Sequence, residues 1–74
     1  MSNASRCRSI AAHYSELARR TTDPDLRNSY RRLEILWREM TPLAESYDRE
    51  SDPDAKERIY EMIDAVADER RRDA

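Results

Sequence analysis

The chain has 74 residues, 41% of them charged and 38% hydrophobic, with no glycine and no phenylalanine. That length allows one domain at most, and the composition suits a solvated helical protein better than a sheet. The net charge of −2 gives no global pull toward nucleic acid. No apolar run is long enough to span a membrane and no signal-peptide core is present, so a cytoplasmic protein with no membrane partner is expected.

The first expected helix covers about residues 5–21. Cys7, Ile10, Ala11, Tyr14, Leu17 and Ala18 recur at intervals of three and four and make one apolar stripe. Ser5 is the expected N-cap, and residues 1–4 are given no structural weight. Thr21 and Thr22 lead into Asp23-Pro24, where the helix must stop, because the residue before proline is pushed out of the α region.

Asp23-Pro24-Asp25 recurs as Asp52-Pro53-Asp54. An Asp before Pro is a helix start: the carboxylate accepts an orphan backbone N–H, and proline at the first helical position gives up a donor that had no partner. The two marks therefore open the second and third helices. They are read as caps and not as carboxylate pairs for chemistry.

The second helix covers about residues 24–50. Leu26, Tyr30, Leu33, Trp37, Met40, Ala44 and Tyr47 alternate by four and three, which is a heptad seam. Leu36 and Leu43 widen it, Ile35 falls off it, and Arg31, Arg32, Glu34, Arg38, Glu39 and Glu45 take the polar positions. Pro42 lies inside this pattern. Either the helix kinks and continues, which the unbroken heptad phase favours, or Thr41 caps a new short helix from Pro42 to Glu50. The third helix covers about residues 53–72, with Ala55, Ile59, Met62, Ile63 and Val66 as its stripe. Residues 1–22 carry +3, residues 23–50 carry −2 and residues 51–74 carry −3. The first and last segments therefore suit each other as neighbours, in one chain or across a dimer.

Few residues could carry chemistry. His13 stands three residues before Glu16, and with Cys7 the three could build a metal or redox site only across a dimer. Cys7 lies on the apolar stripe, where a buried small hydrophobe is the plain reading; Arg6 and Arg8 beside it would favour a thiolate. As the lone cysteine, it cannot form a disulfide within the chain. Trp37 with Tyr30, Met40 and Tyr47 reads as core or dimer seam rather than as a ligand pocket, and Tyr14 and Tyr60 as flanking or interfacial positions with their hydroxyls toward water. The clusters Arg19-Arg20, Arg31-Arg32 and Arg70-Arg71-Arg72 sit among acids or at helix C-termini, where cations are favoured anyway. With no glycine there is no Gly-rich phosphate loop.

Taken together, Tyr14-x-x-Leu17-Ala18, then Asp23-Pro24-x-Leu26-Arg27, then Tyr30-x-x-Leu33-x-x-x-Trp37-x-x-Met40 resembles a set of very short, uncharacterised proteins common in alphaproteobacteria, especially rhizobial relatives. Cys7 and Arg8 match the start of that pattern, which covers about residues 7–44. The chain departs from it at Glu34 and Thr41, where the pattern has alanine, and at Pro42. The resemblance implies a bacterial protein built on a helical hairpin and brings no activity with it.

The expected architecture is all-α: one helical domain over residues 1–74, an antiparallel hairpin of the first two helices plus a third, closed as a three-helix bundle or completed as a dimeric bundle. The expected role is non-catalytic, with no cofactor: a protein–protein interaction or homodimerisation module. Its seam is Leu26, Tyr30, Leu33, Trp37, Met40 and Tyr47. The rival readings are a small nucleic-acid-associated regulator using the arginine clusters, and the metal or redox site across a dimer.

Overall fold

A computed structural model describes residues 2–73, so Met1 and Ala74 lie outside it. The chain is all-α, with helices α1 (Asn3–Arg20), α2 (Pro24–Arg49) and α3 (Pro53–Asp73) and no strand among the described residues.

The two Asp-Pro-Asp marks work alike. Asp23 Oδ1 accepts the N–H of Asp25 at 3.0 Å, and Asp52 Oδ1 accepts that of Asp54 at 3.1 Å. The carbonyls of Asp23 and Asp52 then accept the first helical bonds, from Arg27 and Lys56, both at 2.9 Å. The cap of α1 is Ser2, not Ser5: Ser2 Oγ accepts the N–H of Ser5 at 3.1 Å. The stretch given no weight in the sequence thus supplies the cap, and Ala4 within it is buried.

Helix α2 runs through Pro42 without a break. Pro42 has no N–H to offer the Arg38 carbonyl one turn back. Its ring is exposed, and Thr41 Oγ1 beside it donates to the Trp37 carbonyl at 2.9 Å. With the ring on the solvent side, nothing packed against α2 is displaced by it.

Helices α1 and α2 form an antiparallel hairpin. At its open end Asp48 of α2 accepts the N–H of Ala4 at 3.0 Å and Asn3 Nδ2 at 3.1 Å. At its turn Arg27 donates from Nε and Nη2 to the Thr21 carbonyl, at 3.2 and 3.1 Å. Asp48 also puts a negative charge at the start of α1, whose own first turn has no acid. The contact line on α1 is Ala4, Cys7, Ala11 and Ala18, all buried and all small. Small side chains let two helix backbones approach closely. The larger residues of the α1 stripe, Ile10, Tyr14 and Leu17, are half-buried beside that line.

Helix α3 packs along α2 in the antiparallel sense. Lys56 Nζ stands 4.6 Å from the centroid of the Tyr47 ring, and further on Arg70 Nε donates to Glu39 Oε2 at 3.0 Å. Among the described residues no Cα of α1 comes within 8 Å of a Cα of α3. The Cα extents are 46 × 27 × 12 Å. A closed triangle of helices with axes 8–10 Å apart would be about as thick as it is wide, near 14 Å each way. The three helices therefore lie side by side with α2 in the middle.

Candidate interaction groove

A single layer of helices has two faces, and here they differ. On one face α1, α2 and α3 together line an open groove with a cavity volume of about 380 Å³. Its floor is Cys7 and Ala44, with Trp37 and Met40 packed against that small cluster. Ile10 of α1 closes one side, and Tyr60 and Ile63 of α3 the other. Tyr47 lies at one end, and Asn3 and Arg6 bring polar groups to the α1 lip. Tyr60 is 61% exposed, and no large side chain among the described residues is completely buried. The opposite face carries Arg31, Arg38, Pro42 and Arg49, all exposed, with Ile35 among them.

The expected seam is divided by this geometry. Trp37, Met40 and Tyr47 line the groove, so they serve the chain's own small core as well as its open face. Tyr30 stacks on Tyr14 of α1, with ring centroids 6.2 Å apart. Leu33 is half-buried and Leu26 is 44% exposed, and both continue the same stripe beyond the groove. The sequence places Ile10 on the α1 stripe and Tyr60 at a flanking or interfacial position, and both line the groove; Arg6 stands out there only as a neighbour of Cys7. The signal available for Tyr60 was its place three residues before Ile63, next to the α3 stripe.

Glu34 corrects the expectation that it takes a polar position on the surface. It is 3% exposed, the one buried charged residue among those described, on the side of α2 that meets α1. Arg31 and Arg38 on either side of it in α2 reach back to its carboxylate. Burial pushes its pKa up, but hydrogen bonds from Arg31 and Ser15 and the charges of Arg38 and Arg31 outweigh that and hold it below the usual range. The Asp48 carboxyl is also held low, chiefly by the Ala4 N–H it accepts.

The residues considered for a metal or redox site are not brought together. Cys7 is buried toward α2, and burial first, then the charge of Asp48, push its thiol pKa up despite Arg6 nearby. That is the opposite of an activated thiolate. His13 is exposed beside the Tyr14 ring, and Glu16 is taken by Arg19 and Arg20. Most of the arginines in the clusters are likewise engaged, Arg31 by Glu34, Arg70 by Glu39 and Arg72 by Asp68, while Arg32 is exposed. The side chain of Arg71 lies outside the described residues. Among the described residues no helix is long and apolar enough to cross a membrane.

The fold and the groove define a class: a small all-helical protein, one layer thick, with one apolar face left open. In comparison with known proteins, no family model, no curated protein and no solved structure matches this chain.

Proposed function

We propose that this protein is a non-catalytic association module, which works as a homodimer and covers its groove face with a second protein chain. The observation that carries this is surface area. The accessible surface is 5480 Å² for a mass of 8.8 kDa. A compact monomer of that mass exposes about 4,800 Å². The surplus, about 700 Å², is close to the roughly 800 Å² that each partner contributes to a standard-sized protein interface. The groove supplies the matching chemistry, with a tryptophan, two tyrosines and a methionine among its lining residues. A cytoplasmic setting fits the free Cys7, which would stay reduced there.

The rival readings draw less support. A nucleic-acid surface needs arginines free to meet phosphates, and most of those in the clusters already hold carboxylates. A redox or metal site needs Cys7, His13 and Glu16 to converge, but Cys7 is buried, His13 is exposed and Glu16 is held by Arg19 and Arg20. Sedimentation equilibrium tests the proposal. The expected result is a mass of twice 8.8 kDa at micromolar concentration; a mass of one chain at every concentration would sink it.

A further inference from the structure

How a second copy would seat on the groove face follows from the charges at its two lips, given the association reading above. On α1 Arg6 stands at the lip, exposed and without an ion-pair partner among the described residues. On α3 Glu57 and Asp64 lie three residues before Tyr60 and four after it. Residues so spaced share one side of a helix. Both acids are exposed and make no ion pair among the described residues; the cation next to them, Lys56, stands over the Tyr47 ring, so the three together leave the α3 lip net negative. The lips also match in height. Cys7 packs at Ala44, and Lys56 stands over the Tyr47 ring. Arg6 and Glu57 therefore sit at nearly the same level along α2, on opposite sides of it. Whole segments agree with the lips, since residues 1–22 carry +3 and residues 51–74 carry −3.

We propose that two copies meet groove to groove about a two-fold axis parallel to α2, which sets α1 of each copy over α3 of the other. Rotation about that axis exchanges left and right and preserves height. Arg6 of each copy then comes opposite the partner's Glu57 and the partner's Asp64, and the two α2 helices run parallel. A two-fold axis perpendicular to α2 would instead lay α1 on α1 and α3 on α3. Like charges would then face each other at both edges, which interfaces avoid. The contact is isologous, so each favourable edge occurs twice. The aromatic residues and Met40 fill the centre, and the charged lips form the rim.

The test is a charge swap read by sedimentation and circular dichroism. Arg6→Glu and the double variant E57R/D64R are purified separately. Each alone is expected to dimerise about tenfold more weakly or worse than the unaltered chain, since repulsion enters at both edges. Mixed one to one, they should pair again. The new carboxylate at position 6 then meets the new cations at positions 57 and 64 on one edge, and the original pairing persists on the other. These side chains are exposed and make no ion pair among the described residues, so the substitutions leave each chain's internal contacts intact. A variant that loses helicity alone and regains it on mixing supports the same arrangement. Two variants that dimerise as well as the unaltered chain would overturn the arrangement while the dimer stands, and so would weakening without rescue on mixing. An unaltered chain that is monomeric throughout would overturn the association reading as well.

Discussion

Burial alone would raise the Glu34 carboxyl, yet the hydrogen bonds from Arg31 and Ser15 and the charges of Arg38 and Arg31 bring it below the usual carboxylate range. A group whose pKa is lower folded than unfolded favours the fold in its charged form. Its contribution is present above the unfolded pKa and is lost as pH falls through the folded one. Asp48, held low by the α1 backbone it caps, acts in the same direction. The melting temperature should therefore fall as pH drops from about 5 toward 3, through the carboxylate range. Glu34→Gln should flatten part of that slope in a series of thermal melts. A variant slope equal to that of the unaltered chain would show that Glu34 does not carry it. Cys7 has the opposite sign. Its raised pKa favours the neutral thiol in the fold, so its contribution is lost only as pH rises well into the alkaline range.

At the scale of elements, much was legible in the sequence. The helix starts at Asp23 and Asp52 follow from the chemistry of Asp-Pro, and the antiparallel hairpin follows from a short connection between two amphipathic helices. The faces in contact were harder to read. Reading the stripe of α1 by size points to Ile10, Tyr14 and Leu17, but the buried line is Ala4, Cys7, Ala11 and Ala18. Periodicity alone cannot tell a face that packs closely from the neighbouring face that holds the large residues. Glu34 was illegible for the same reason: its place against α1 is set by the hairpin register, and its charge is tolerated because Arg31, Arg38 and Ser15 surround it. Asp48 capping α1 from α2 is a tertiary contact that no local pattern encodes. Pro42 offers a test at this scale. It sits exposed inside a continuous helix, where it removes one backbone hydrogen bond. Pro42→Ala should stabilise the protein by roughly 1–3 kcal/mol, measured by denaturant unfolding. A loss of stability would mean that proline shapes α2 in a way the packing depends on.

At the scale of the whole molecule, the governing feature is shape. Three helices lie side by side, with a small-residue core and with Trp37, Met40, Tyr47 and Tyr60 lining one open groove. Helix α2 lies in the middle and is touched from both sides, while no Cα of α1 comes within 8 Å of a Cα of α3 among the described residues. Such a layer gains most by stacking on a second one. Trp37, the chain's one tryptophan, lines the groove and reports on whether it is covered. Acrylamide quenching of Trp37 fluorescence across a dilution series is the most direct measurement. A shielded, blue-shifted tryptophan is expected at high concentration, becoming quenchable and red-shifted on dilution through the dissociation range. Quenching that is the same at every concentration, while the helices stay formed, would contradict a groove covered by a second chain.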